Sequence, residues 1–134
     1  IYALPILIEP HAPTAFDMSS RAGEFRHYGT FVRELKDSDF LHWAEGELSV
    51  NSRYVMFNGS IAPGPDYRLY LSPEYIETEA AFSQHKAKMV YVGDVKNFSR
   101  FLLKLPAGVN VDKYTTAVIW CESFGEFISA AKYR

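Results

Sequence analysis

The sequence predicts an all-β fold, an antiparallel β-sandwich or barrel-like arrangement with a short helical insert around residues 74–88. Phe, Tyr and Trp make up 16% of the chain, and aromatic side chains favour sheets. Short runs of β-branched and aromatic residues recur at close spacing, separated by turns rich in Gly, Pro, Asn and Ser. Residues 74–88 contain residue types that are typical of the two ends of a helix, so the predicted class is all-β with one helical insert.

The predicted strands follow one another from residue 29 onwards. They comprise residues 29–34, 40–50, 54–57, 67–71, 89–92, 98–105 and 115–122, and residues 124–133 close the chain with further packing surface. Residues 51–53 form a tight turn, which indicates a hairpin of the second and third strands. Two prolines around Gly64 predict a rigid corner, and Gly93-Asp94 predicts a turn.

The helical insert is predicted from residues at its two ends. Thr78 is a residue type that caps helix N-termini. Lys86 and Lys88 suit the negative end of a helix dipole. We therefore expect a short helix or helical loop inside this insert.

The segment 115–122 is the most strand-like in the chain and contains the single cysteine. Ala117, Ile119 and Cys121 project to one side, and Val118 and Trp120 project to the other. A strand that is apolar on both faces is expected to be covered on both. We therefore predict a central strand, with Trp120 buried against the opposite sheet.

The first residues differ in character from the rest of the chain. Residues 1–8 are apolar and uncharged, but too short to span a bilayer. We interpret residues 1–28 as the end of a membrane anchor or signal segment plus a linker, and residues 29–134 as a single domain. The alternative is that residues 1–8 form an N-terminal strand of the domain.

Composition excludes several classes of function. A net charge of −2 and a pI of about 6.1 provide no field that attracts nucleic acid or an anionic membrane. One cysteine excludes an intramolecular disulfide, a C-x-x-C redox pair and a thiolate zinc site. No Ser-His-Asp order, phosphate loop or paired-carboxylate motif stands out, so we assign no catalytic residue and favour a protein that is not an enzyme.

Four motifs occur in a characteristic order. They are G-P-D-Y-R-L-Y-L-S at 64–72, G-D-V-K at 93–96, L-P-A-G-V-N-V-D-K-Y at 105–114 and V-I-W-C-E-S-F at 118–124. This pattern resembles the DM-thirteen domain, found beside DOMON domains in Skeletor-type animal proteins and alone in bacteria, where it often follows a membrane helix. The resemblance covers about residues 29–134 and implies an extracytoplasmic β-domain, often membrane-tethered. It also implies a proposed electron-transfer role centred on the family cysteine, here Cys121.

Cys121 is accordingly the first candidate for a redox or ligand-binding residue. Its neighbours Ile119, Trp120 and Glu122 are apolar or acidic, which predicts a raised thiol pKa and low reactivity. The alternative is that Cys121 is a small core residue. Haem or a metal at Cys121 stays open, but a blue-copper site wants two His and one Cys, and no His follows Cys121.

Four residues are supporting candidates: Trp120, His42, Trp43 and Asp66. His42, predicted to lie in a strand, and Trp43 form either a functional polar and aromatic patch or the edge of the core. Asp66 is either an ion ligand or a cap of its own turn.

Two functional hypotheses of different class follow. The first is a redox or electron-transfer domain that lies outside the cytoplasm, in the periplasm if the source is bacterial, anchored to the inner membrane by its N-terminal segment. The second is a non-catalytic β-sandwich that binds a ligand or a protein, with Cys121 as a structural residue. Neither hypothesis involves nucleic acid, and the sequence leaves the identity of a protein or small-ligand partner open.

Overall fold

A computed structural model describes residues 22–134, which fold as two four-stranded antiparallel sheets. The strands are β1 (His27–Phe31), β2 (Ala44–Val50), β3 (Tyr54–Ile61), β4 (Tyr67–Ser72), β5 (Val90–Val95), β6 (Arg100–Lys104), β7 (Thr116–Cys121) and β8 (Glu126–Lys132). The first sheet has the order β1-β2-β3-β6 and the second the order β5-β4-β7-β8. The predicted all-β sandwich is confirmed, and it is open rather than closed into a barrel.

One α-helix, α1 (Glu79–His85), follows β4 and continues into a 3₁₀ turn at Lys86–Lys88. The hydroxyl of Thr78 accepts a hydrogen bond from the Ala81 N–H at 3.0 Å, which confirms the predicted cap. A second 3₁₀ turn, Val111–Lys113, precedes β7. Within residues 22–134 no helix is long and apolar enough to cross a membrane.

The main core lies between the two sheets. Leu48, Val55 and Phe57 of the first sheet belong to the same buried cluster as Leu69 and Ile119 of the second. These inward side chains alternate along each strand, as the pleat of a sheet requires. Burial of this apolar surface is the main force that holds the sheets together.

A second apolar cluster covers the outer face of the second sheet. Phe82 of α1 packs there with Tyr70, Val118 and Phe127. Strand β7 is therefore buried at every residue, and the prediction that both of its faces are covered is confirmed.

Two β-bulges interrupt the second sheet. The register of β4 with β5 shifts between Leu69 and Tyr70, and that of β7 with β8 between Ile119 and Trp120. A bulge bends its strand and increases the local twist. Tyr70 and Trp120 are the first residues of β4 and β7 after the two shifts.

The segment before β2 differs from the prediction. Residues 40–43 are not part of a strand, since β2 begins at Ala44. The Asp39 carboxylate accepts a hydrogen bond from the Leu41 N–H at 2.8 Å, and the Asp39 and His42 backbones bond to each other. This local turn uses the backbone groups that a strand would need for pairing, so the strand prediction for His42 is wrong.

Smaller differences occur elsewhere. The strand β5 continues through Gly93 and Asp94, where a turn was predicted, because these residues pair with Leu69 and Arg68 of β4. Strand β1 comprises His27–Phe31, whereas the first strand was predicted over residues 29–34. The predicted anchor end at residues 1–8 lies outside the described residues.

Candidate functional site

Cys121 is the last residue of β7 and points into the space between the sheets. Its side chain belongs to the main core cluster and the residue is 2% exposed. The thiol donates a hydrogen bond to the carbonyl oxygen of Pro65 at 3.2 Å. The sulfur is therefore held in one position and shielded from reagents in solution.

The surroundings of the sulfur favour the protonated thiol. Burial raises the pKa of Cys121, and the negative charges of Asp66 and Glu126 raise it further. The backbone N–H groups of Phe124 and Ser123 act in the opposite direction but do not prevent the net rise in pKa. Nucleophilic and disulfide-exchange chemistry require the thiolate, so Cys121 is poorly suited to both at neutral pH.

Cys121 lines a cavity of about 240 Å³ at one end of the sandwich. His42 lines the same cavity, and so does the proline-rich corner at residues 63–65. Leu41 and Phe124 lie at its rim with 66% and 69% of their surface exposed. We call this cavity and its two exposed apolar residues the thiol cavity.

His42 reaches the thiol cavity from the turn before β2. Its Nδ1 lies 2.9 Å from Oδ1 of Asp39 and 4.0 Å from Oε2 of Glu126. These two carboxylates fix the orientation of the imidazole. The structure thus brings two candidate residues, His42 and Cys121, to one cavity.

Trp43 lies apart from His42. The Arg33 guanidinium lies over the Trp43 ring with 3.5 Å between its central carbon and the ring centroid, a cation–π contact. Trp43 and Arg33 line a different cavity of about 470 Å³, together with the exposed Phe40. The two neighbours in sequence therefore belong to different sites.

Asp66 joins two turns at the edge of the thiol cavity. Its carboxylate accepts a hydrogen bond from the Ser123 hydroxyl at 2.6 Å, and its carbonyl accepts one from the Glu122 N–H at 3.0 Å. Its φ of 59° is unusual for a residue with a side chain, although Asp tolerates it better than most. Asp66 thereby ties the corner at 63–65 to the turn that follows Cys121.

The thiol cavity has fewer potential metal ligands than a blue-copper centre needs. A blue-copper centre uses two His and one Cys, whereas His42 is the one histidine that lines this cavity among the described residues. No group of three His, Cys, Asp or Glu side chains within residues 22–134 is placed to hold a metal ion. The residues present do not fit a blue-copper centre.

Trp120 lies on the outer face of the second sheet, opposite to Cys121. It is buried, at 6% exposure, as predicted. Its ring stacks on Phe82 of α1, with centroids 3.8 Å apart and planes at 7°. The expectation that Trp120 packs against the opposite sheet is wrong, because residues alternate between faces and Cys121 occupies the inward position.

Two further aromatic contacts extend from this stack. Phe82 contacts Tyr70 edge-on at 5.2 Å between centroids, and Tyr70 contacts Tyr91 at 5.7 Å. We call Trp120, Phe82, Tyr70 and Tyr91 the aromatic row. It leads from buried Trp120 to Tyr91, which is 42% exposed.

The hydroxyl of each tyrosine in the aromatic row donates a hydrogen bond to a carboxylate. Tyr70 bonds Oε1 of Glu122 at 2.9 Å, and Tyr91 bonds Oδ1 of Asp94 at 2.5 Å. Burial, followed by the bond to Glu122, raises the pKa of Tyr70. The bond to Asp94 is the main cause of the raised pKa of Tyr91.

Sequence reasoning missed the aromatic row and the rim of the thiol cavity. Leu41 gave no signal, since one leucine in a turn is common. Phe124 and Pro65 stand within the recognised motifs and were not considered as lining residues. Tyr70 follows Arg68 by two residues along a predicted strand and so shares its outward face, but this pattern does not reveal the partners of Tyr70.

The fold and the site define a small antiparallel β-sandwich with a single buried thiol beside an end cavity. The sequence model of the family described as electron transfer DM13 matches residues 34–133. The match spans well over half of the chain, so the chain belongs to this family, and the resemblance drawn from the motifs is confirmed. No curated protein and no solved structure matches the chain.

Proposed function

We propose that this protein is an electron-transfer domain in which Cys121 is the redox group and exchanges single electrons. The family description supports electron transfer. Cys121 carries the one sulfhydryl of the chain. The observation that supports its assignment as the redox group is its position beside the thiol cavity. Burial and the raised pKa argue against thiol–disulfide exchange, which needs contact with a thiolate.

The proposed step is a one-electron oxidation of a thiol. Cys121 gives one electron to a one-electron oxidant and its proton, through the thiol cavity, to solvent, which leaves a thiyl radical on the sulfur. A one-electron donor and a proton from solvent then restore the thiol. The bond to the Pro65 carbonyl and the two turns tied by Asp66 hold the sulfur during this cycle.

Protein-film voltammetry tests this proposal. The wild type is expected to show an oxidation and re-reduction wave that Cys121→Ser lacks. Ser129→Ala is the matched control, because it alters one buried Oγ in the same core without touching the sulfur. A wave of equal size in Cys121→Ser, or no wave from folded wild type, would overturn the assignment.

We further propose that the domain lies outside the cytoplasm and is tethered to a membrane, the inner membrane in a bacterial source. The apolar, uncharged residues 1–8 support this proposal, as does the resemblance to membrane-tethered members of the family. Fractionation of the full-length gene product tests it. We expect recovery with membranes after a carbonate wash, and recovery in the soluble fraction would contradict the tether.

A second candidate is a protein- or ligand-binding domain in which Cys121 is only a core residue. The exposed Leu41 and Phe124 favour it, because exposed apolar side chains around a cavity are typical of binding sites. Replacing both with Ser separates the candidates. If the domain is a binding domain, the double variant loses partner binding. If electron transfer is the function, the double variant keeps the voltammetric wave of Cys121.

A further inference from the structure

We propose that the aromatic row is an electron relay that connects strand β7 with the protein surface at Tyr91. The inference rests on the proposed electron-transfer function and adds the route that the electron takes. Cys121 is shielded, so an external redox partner does not touch its sulfur. Trp120 precedes Cys121 in the chain, and its ring begins the aromatic row on the opposite face of the sheet.

The spacing of the rings suits electron hopping. The centroids of Trp120 and Phe82 lie 3.8 Å apart in a parallel stack, and those of Phe82 and Tyr70 lie 5.2 Å apart. Tyr70 and Tyr91 follow at 5.7 Å. Electron tunnelling weakens exponentially with distance, so rings in contact give strong coupling. Phe82 bridges the first gap, and the oxidisable residues are Trp120, Tyr70 and Tyr91.

The carboxylates supply the proton acceptors that tyrosine oxidation needs. A phenol becomes much easier to oxidise when its proton leaves together with the electron. Tyr70 has Glu122 as its acceptor at 2.9 Å, and Tyr91 has Asp94 at 2.5 Å. Both tyrosines are therefore prepared for coupled loss of an electron and a proton.

Glu122 is itself held in place by two cations. The Arg68 Nη1 lies 3.7 Å from Oε1 of Glu122, and the Lys86 Nζ lies 3.4 Å from Oε2. Packing alone would be served equally by Phe at position 70. The hydroxyl and its fixed carboxylate partner are the features that packing does not explain and a relay uses.

Each step of the relay balances. The Cys121 thiyl radical takes one electron from Trp120 and a proton through the thiol cavity, which leaves the thiol and a Trp120 radical cation. Tyr70 then gives an electron to Trp120 and passes its hydroxyl proton to Glu122, which leaves neutral Trp120 and a Tyr70 phenoxyl radical. Tyr91 then gives an electron to Tyr70 and its own proton to Asp94, while Glu122 returns the proton to Tyr70. The electron vacancy ends on the exposed Tyr91, where an external donor can fill it.

Laser flash photolysis of Trp43→Phe tests the relay. Trp120 is then the single indole of the chain, and light at wavelengths absorbed by indole but not by phenol ejects an electron from it. Hexaamminecobalt(III) takes up that electron irreversibly and forms no oxidising radical. We expect the tryptophan radical absorbance to decay as tyrosyl radical absorbance rises, at a rate independent of protein concentration.

Substitutions on and off the row decide the outcome. Tyr70→Phe in the same background should slow the decay at least about tenfold, and Glu122→Gln should slow it and reduce the solvent deuterium effect. Tyr28→Phe, which removes a more exposed tyrosine off the row, should leave the rate unchanged. Equal decay rates in Tyr70→Phe and Tyr28→Phe would overturn the relay.

The arrival of the radical at Tyr91 is measured separately. Tyrosyl radicals on the surface couple into dityrosine, and mass spectrometry of illuminated Trp43→Phe should find the cross-links at Tyr91. If the yield of cross-links followed the exposure of the tyrosines instead, with more at Tyr28 than at Tyr91, the route would be contradicted. Neither measurement uses the Cys121 wave, so the relay and the redox role of Cys121 fail or stand separately.

Discussion

The two faces of the second sheet are built from alternating residues of the same strands, yet they differ in chemistry. The inner face is mainly aliphatic around Leu69 and Ile119, and the hydrogen-bond partners of the Cys121 thiol are backbone groups. The outer face carries the aromatic row, whose hydroxyls end on carboxylates near the surface. Two residues adjacent in sequence are thus both buried but have different surroundings: the thiol lines a cavity, and the indole is the buried end of the aromatic row.

The largest expected effect concerns the outer face. Trp120→Ala should lower the free energy of unfolding by about 3–5 kcal/mol, because it removes a buried aromatic ring and leaves the Phe82 ring of α1 without its stacking partner. Urea denaturation measures the loss. Trp43→Ala is the control and should lose less, since Trp43 is only partly buried. A loss below 1 kcal/mol for Trp120→Ala would show that the outer cover contributes little to the fold.

The inner face is tested next at Tyr67. Its hydroxyl donates to the buried Ala62 carbonyl at 2.7 Å, so Tyr67→Phe should cost about 1–3 kcal/mol by leaving that carbonyl unpaired. Burial, with a smaller contribution from Cys121, raises the pKa of Tyr67 above its ordinary value of 10.0. The unfolded chain therefore releases this proton first, and wild-type stability falls as pH rises through the ordinary tyrosine range.

The stability gap between wild type and Tyr67→Phe should accordingly narrow at alkaline pH, because the variant lacks this proton. Denaturation series at neutral and alkaline pH measure the gap. Tyr28→Phe, at an exposed site, should run parallel to wild type throughout. A gap that widens with pH would contradict the assigned direction of the Tyr67 pKa shift.

A smaller loss is expected at Cys121. Cys121→Ser places a hydroxyl in an apolar site but keeps a donor for the Pro65 carbonyl, so the cost should be about 1 kcal/mol. The same denaturation assay applies. A loss as large as that of Trp120→Ala would mean that the inner position tolerates a polar atom less well than its hydrogen bond suggests.

The smallest effect concerns the alkylation rate of Cys121 in the unaltered protein. Cys121 should react slowly with iodoacetamide at neutral pH in the native state and rapidly in denaturant, because burial shields it and raises its pKa. Labelling followed by mass spectrometry measures both rates. Equal rates in the two conditions would show that the thiol cavity admits reagents and would favour an accessible redox thiol.

Alternation along the chain was sufficient to predict which residues of β7 share a face, since the side-chain period of a strand is fixed. It was not sufficient to predict what covers each face. Trp120 packs on α1 because the chain passes over the outer surface between β4 and β5, a tertiary arrangement that no local pattern contains. The cap at Thr78 was predictable because its signal is local.

The candidate site was likewise predictable from the sequence only in part. The motifs identified Cys121 and the corner at 63–65, but the presence of His42 in the same cavity depends on a turn that had been interpreted as a strand. Asp39 decides that turn through one side-chain hydrogen bond. The partners of Tyr70 lie on other segments, and a single sequence does not reveal such pairs.

The hydrogen bonds of Asp66, which tie the two turns together, bear on the oxidation that we propose for Cys121. Cys121 bonds to Pro65, and both the backbone of Glu122 and the hydroxyl of Ser123 bond to Asp66, so the walls around the sulfur are braced from two segments. Electron transfer is fastest when the surroundings of the redox atom rearrange little between its two oxidation states. A braced, solvent-poor pocket lowers this reorganisation energy, and the ordering it requires is complete before any partner arrives.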